Sequence, residues 1–166
     1  MTVVLVGLPA SGKSTVGPLL AHALGEPFID ADAAIEARTG RSIPEIFAQG
    51  GEAAFRAVEA ETIRELLARG GVIALGGGAV TTAYVRAALR GQTVVWLTVG
   101  EDEALLRARE GSRPLLDGPG AWARLARERA GFYAEVASLC VDTTGATPEA
   151  VARQIANAVR PGKDQP

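Results

Sequence analysis

Residues Val3 to Thr15 constrain this chain more than any other stretch. Val3-Val4-Leu5-Val6 is a short apolar, β-branched run, the pattern of a buried strand. Gly7-Leu8-Pro9-Ala10-Ser11-Gly12-Lys13-Ser14 follows and satisfies G-x-x-x-x-G-K-[ST] at every fixed position. A helical pattern then puts Val16, Leu19, Leu20, Ala23 and Leu24 on one face. In a strand–loop–helix unit of this kind the loop N–H groups converge on phosphate oxygens, helped by the positive end of the helix dipole. Lys13 is placed to reach β- and γ-phosphates and the Ser14 hydroxyl to ligate Mg²⁺. The motif predicts a nucleotide; by itself it does not choose a reaction.

The remaining pattern is alternating. Helices are predicted at about 13–24, 32–39, 43–69 (broken near Gly50-Gly51), 82–89, 101–109, 121–137 and 148–159, and strands at 3–6, 27–29, 71–75, 93–99 and 138–141. Such alternation predicts a parallel five-stranded sheet with helices on both faces, in three layers, with ligands at the carboxyl ends of the strands. The predicted organisation is one domain over 1–160, with a helical substrate-binding segment at about 32–60, a mobile lid at about 110–120 and a flexible tail over 161–166.

Composition narrows the partners. Net charge is −2 with no basic tract, which gives no footprint for nucleic acid. No apolar run reaches the roughly 18–20 residues of a membrane span, and the N-terminus shows no basic leader pattern. Cys140 is the single cysteine and, in an apolar strand, reads as a small core residue. His22, the single histidine, reads as a surface residue. The expectation is a soluble, cytoplasmic monomer. Only Lys13 and Lys163 are lysines among 17 basic residues, so an N-K-x-D guanine motif and a GTP switch are excluded.

The segments after the strands carry the candidate chemistry. Asp30 and Asp32 follow the second strand; if the segment stays extended, both carboxylates point to one side. One could hold Mg²⁺ and the other accept a proton from a hydroxyl. Asp32 could equally cap the helix that follows, and both readings can hold together. Arg56 and Glu59, three apart in a helix, share a face. Gly76-Gly77-Gly78 after a strand suggests close backbone approach to a ligand. Arg113 lies in the glycine- and proline-rich segment Glu110 to Gly120, where it could close over a transferring phosphate.

Together these motifs resemble the shikimate kinase family. The resemblance rests on the phosphate loop, Phe28-Ile29-Asp30-Ala31-Asp32, Thr39-Gly40-Arg41-Ser42-Ile43-Pro44-Glu45-Ile46-Phe47, Gly51-Glu52-Ala53-Ala54-Phe55-Arg56-Ala57-Val58-Glu59, Leu75-Gly76-Gly77-Gly78-Ala79 and Arg113-Pro114-Leu115-Leu116, in family order over residues 3–155. It implies ATP-dependent phosphorylation of the shikimate 3-hydroxyl, in the pathway to aromatic amino acids. In that reading Lys13, Asp32 and Arg113 are catalytic. Asp32, Arg56, Glu59, Gly77, Gly78 and Arg129 hold the substrate, and Ile43, Phe47, Phe55 and Leu115 wall its ring. ATP meets Pro9, Ala10, Ser11, Gly12, Lys13, Ser14, Thr15 and Arg113. Arg107, Arg109 and Arg153 remain alternatives on its adenine side. Ser14 and Asp30 would hold Mg²⁺. Gluconate, adenylylsulfate and nucleoside monophosphate kinases share the first loop. They and a non-catalytic nucleotide-binding relative are the competing readings; Arg56, Arg129 and the glycine triplet favour a small carboxylated polyol.

Overall fold

A computed structural model of the chain describes residues 1–110 and 120–160. Five strands form one parallel sheet: β1 (Thr2–Val6), β2 (Phe28–Asp30), β3 (Gly71–Ala74), β4 (Thr93–Thr98) and β5 (Leu139–Asp142), in the order β2-β3-β1-β4-β5. Register is continuous across the middle, with Val4 opposite Ile73 on one side and Val94 on the other. The helices are α1 (Lys13–Leu24), α2 (Ala31–Thr39), α3 (Ile43–Arg69), α4 (Ala83–Ala88), α5 (Glu101–Glu110), α6 (Ala121–Val136) and α7 (Pro148–Val159).

Successive strand side chains point to opposite faces, and both faces here are covered. Val3 and Leu5 join Val72, Val95 and Leu97 beneath α1 and α7, where Leu20, Val151 and Ile155 complete the layer. Val4 and Val6 face the other way, onto Ile63 and Leu66 of α3, Val85 of α4 and Tyr133 of α6. Each fully buried Leu or Ile in these layers contributes about 1.5–3 kcal/mol relative to exposure. The three-layer architecture is the one the alternating pattern predicts.

Local chemistry explains the element ends. Ser42 and Glu45 form a reciprocal capping box at the start of α3. Gly51 interrupts that helix at φ 74°, ψ −175°, a backbone that favours glycine; the predicted break lies there. Elsewhere the structure departs from expectation. The aspartate segment does not stay extended: α2 begins at Ala31, and Asp30 Oδ1 accepts from Ala33 N at 3.0 Å. The cap is therefore Asp30, not Asp32, because the side chain preceding the first helical residue meets the orphan N–H groups. The predicted helix over 82–89 is preceded by a 3₁₀ turn, Ala79–Thr81. Cys140 is exposed rather than buried. It sits on the edge strand β5, whose alternate residue Val141 takes the core face. His22 is exposed, as expected. No helix among the described residues is long and apolar enough to cross a membrane.

Candidate active site

The phosphate loop connects β1 to α1 at the carboxyl edge of the sheet. A methyl on Gly7 would stand 2.5 Å from Leu97 O, so only glycine fits. Gly12 precedes α1 at φ 101° and offers no capping side chain, which leaves the Lys13 and Ser14 N–H groups to an anion. Ala10 has a positive φ of 67°, the one such non-glycine among the described residues.

Three successive carbonyls of this loop are held from outside. Trp122 Nε1 donates to Pro9 O at 3.2 Å, Arg107 Nη1 to Ala10 O at 3.1 Å, and Thr143 Oγ1 to Ser11 O at 3.2 Å. A trans peptide directs its N–H opposite to its C=O, so these bonds turn the N–H groups of Ala10, Ser11 and Gly12 the other way. Lys13 Nζ donates to Gly7 O at 2.6 Å and Leu8 O at 3.0 Å. Ser14 and Thr15, at the start of α1, are exposed.

Beside the loop, a cleft of about 360 Å³ is lined by Gly12, Thr15, Leu106, Arg107, Thr143 and Pro148 among others. Its size suits the nucleoside half of a nucleotide. Arg107 is fixed in this wall by Glu103 at 2.8 Å and by Thr143 O at 2.9 Å. Glu103 is itself held below the usual carboxylate range, first by the Gly145 N–H and then by Arg107. Of the three adenine-side alternatives, Arg107 lines the cleft; Arg109 and Arg153 are exposed and do not.

Across from the phosphate loop, the glycine triplet gathers four charged side chains. A methyl on Gly76 would meet Asp32 Oδ1 at 2.9 Å and Glu59 Oε2 at 3.4 Å; one on Gly77 would meet Arg129 Nη1 and Pro9 Cδ, each at 3.3 Å; one on Gly78 would overlap Arg56 Nη2. Arg56 Nη1 donates to Glu59 Oε1 at 2.8 Å, and Glu59 is 1% exposed. The Arg56 guanidinium also lies over the Phe55 ring, 5.2 Å from its centroid. Its Nε is buried without a hydrogen-bond partner among the described residues.

Two carboxyls here are raised. Burial is the largest cause for Asp32, followed by Asp30, against Lys13 and Arg56. Burial also raises Glu59, against its hydrogen bond from Arg56. Desolvated carboxyls among guanidinium and ammonium groups mark functional sites. Ile43 and Phe55 pack in one apolar cluster, and Phe47 meets Phe55 with ring centroids 4.7 Å apart, so three predicted wall residues come together. Arg113 and Leu115 lie outside the described residues. A larger hollow, about 530 Å³, opens at the opposite pole between Arg86, Gly91, Thr93, Glu135 and Ser138 and shares no residue with this set.

Mg²⁺ keeps several waters and takes one or two protein oxygens beside substrate phosphates. The Ser14 hydroxyl and the Asp30 oxygen not used as a helix cap are donors of that kind. Trp122 and Tyr133 were not expected as site residues. Trp122 meets Pro9 from 113 positions away and Tyr133 meets Gly77 from 56, and no local pattern signals such pairs. Thr143 belongs to the loop after the fifth strand, which the carboxyl-edge rule does single out.

A phosphate loop and a charged acceptor pocket sharing one sheet edge define a small-molecule kinase of the P-loop class. Comparison with known proteins narrows the class. The family model described as shikimate kinase matches residues 9–160. The shikimate kinases of Mycobacterium bovis (strain BCG / Pasteur 1173P2) and Mycobacterium avium (strain 104) are 51% and 50% identical over 157 residues, covering 92% of this chain and 89% of theirs. The shikimate kinase of Acinetobacter baumannii in complex with shikimate superposes with a TM-score of 0.87 at 36% identity, over 95% of this chain and 92% of that one. That of Aquifex aeolicus gives 0.82 at 34%, over 96% and 99%. The chain belongs to the shikimate kinase family.

Proposed function

We infer that this chain transfers the γ-phosphoryl group of ATP to the 3-hydroxyl of shikimate, giving shikimate 3-phosphate and ADP. The observation that carries the reading is the convergence of Asp32, Glu59, Arg56 and Arg129 on the glycine triplet, beside Pro9 of the phosphate loop. Two guanidinium groups suit a carboxylate, and a buried aspartate suits a hydroxyl.

Each residue then has a task. Arg56 and Arg129 hold the shikimate carboxylate, with Glu59 fixing Arg56. Ile43, Phe47, Phe55 and Leu115 confine the ring, and Gly77 and Gly78 offer backbone contacts. The 3-hydroxyl oxygen attacks the γ-phosphorus as the bond to the β,γ-bridging oxygen breaks; its proton passes to Asp32. Lys13 and the N–H groups of Ala10, Gly12, Lys13 and Ser14, which make no bond inside the loop, neutralise charge on the phosphates. Ser14 and Asp30 would hold Mg²⁺, which would supply further neutralisation of phosphate charge when bound. Arg107 frames the nucleoside. Arg113 completes the charge cage in this reading. The enzyme works as a cytoplasmic monomer.

ADP release from MgATP, with shikimate beside gluconate, nucleoside monophosphates and a no-acceptor control, tests the reading. Turnover is expected with shikimate alone. Turnover with another acceptor, or none in a protein that still binds ATP, overturns the acceptor assignment.

Gly78→Ala tests the substrate side separately. The new methyl overlaps the Arg56 guanidinium, so Arg56 must leave its place against Glu59. We expect the KM for shikimate to rise about tenfold, the loss of roughly one charged hydrogen bond, with the KM for ATP unchanged. Equal shikimate KM values in steady-state kinetics would show that Arg56 is free to move.

A further inference from the structure

We propose that Tyr133 is a positioning residue whose hydroxyl ties the Arg129 guanidinium to the glycine triplet, so that both present to the substrate carboxylate as one unit. The proposal rests on the shikimate reading above and extends it to a side chain that does not touch the substrate.

Tyr133 is 1% exposed, and its ring stacks on Trp96 of β4 with centroids 5.6 Å apart and planes 29° apart. The phenol is therefore fixed relative to the sheet. Its oxygen donates to Gly77 O at 2.6 Å, the shortest class of neutral hydrogen bond. Arg129 lies four residues earlier on α6, hence on the same helix face. The guanidinium charge bears on the phenol, and its Nη1 closes on the same glycine that the phenol holds, 3.3 Å from where a methyl on Gly77 would sit. Burial outweighs that charge and holds the phenol up at about 12, so the hydroxyl keeps its proton.

The bonding arithmetic gives a direction to this contact. A neutral phenol has one proton and two lone pairs. The proton goes to Gly77 O, which leaves oxygen lone pairs for Arg129. Holding Gly77 O on α6 turns the Gly78 N–H away from α6, because the two are antiparallel across a trans peptide. One hydroxyl thus sets the orientation of a backbone donor and of a guanidinium together. Preorganising two donors of one carboxylate should appear in substrate affinity rather than in the chemical step.

Tyr133→Phe keeps the ring and its stack on Trp96 while deleting the hydroxyl. With wild-type turnover on shikimate as the reference, we expect the KM for shikimate to rise about 3–10-fold, the range for one buried hydrogen bond. The kcat and the KM for ATP should stay within about twofold. In an Arg129→Ala background the same change should add less than it does in the wild type, since only the Gly78 N–H is then left for the hydroxyl to orient. A purely structural role would instead lower Tm and the active fraction while leaving both KM values in place. The proposal is overturned by an unchanged shikimate KM, by equal shifts in both KM values, or by effects that multiply in the double variant. If Tyr133→Phe does not fold, difluorotyrosine at position 133 keeps the ring and hydroxyl but makes the oxygen a weaker acceptor toward Arg129; the shikimate KM should shift at least about twofold, and an unchanged value overturns the proposal. A wild-type enzyme inactive on shikimate sinks the functional reading instead.

Discussion

Lys13→Ala is expected to lower kcat with shikimate by about 10³-fold in a folded protein, the scale of deleting one preorganised charge partner from a transition state. Lys13 is the only lysine in the chain outside the extreme C-terminus, and in the proposed reading it meets the γ-phosphate charge. Its Nζ rests on Gly7 O and Leu8 O, within the loop itself. The loop is shaped independently of it: Trp122, Arg107 and Thr143 hold the Pro9, Ala10 and Ser11 carbonyls. Removing the ammonium should therefore leave the cradle standing and abolish only its charge. Thermal unfolding of the variant should fall by no more than about 4–8 °C, since the bonds to Gly7 O and Leu8 O are worth about 1 kcal/mol each and 1 kcal/mol shifts Tm by about 2–4 °C in a domain of this size. Single-turnover assays with MgATP would check it. Residual activity above a tenth of wild type would mean that other cations neutralise the phosphate and that Lys13 mainly aids ATP binding.

Local rules made much of this molecule readable before its structure. A glycine pair at fixed spacing between a β-branched run and an amphipathic helix dictates the phosphate loop. Ser42 and Glu45, three apart before an apolar run, dictate the start of α3. Arg56 and Glu59, three apart, meet because a helix brings them onto one face. What stayed hidden is what crosses the chain. Trp122, Thr143 and Tyr133 bond to loops 113, 132 and 56 residues away, and no periodicity encodes that. Asp30 and Asp32 show a subtler failure. Both suit a cap, and the choice depends on where β2 ends against β3; Asp30 pairs with Ala74, so the chain leaves the sheet at Ala31. Cys140 was misplaced for a related reason: an apolar strand reads as central until sheet order makes it an edge.

That exchange of roles between the aspartates leads to the other large effect, Asp32→Asn. With Asp30 occupied by the Ala33 N–H, Asp32 is not needed to start α2, and its half-buried carboxylate has been assembled at a cost to the fold. Burial and Asp30 raise it above the ordinary 3.8; Lys13 and Arg56 only partly oppose them. A carboxyl raised in the folded state binds its proton more tightly there than in the unfolded chain. Its contribution to stability is present below pH 3.8 and is lost as pH rises through the folded value. Above that value the wild type carries a buried charge that Asn lacks. We therefore expect Asp32→Asn to unfold at a higher temperature than wild type at neutral pH, with the two curves converging as pH falls toward 3.8. The same substitution should lower kcat by about 10²–10⁴-fold, the contribution of a positioned proton acceptor. Calorimetry across pH and steady-state kinetics on one pair of proteins read both effects. Higher stability with lost turnover is the signature of a group held in place for chemistry. Wild-type turnover in Asp32→Asn would reduce Asp32 to orienting the hydroxyl. A lower melting temperature at neutral pH would mean that Lys13 and Arg56 more than offset the burial.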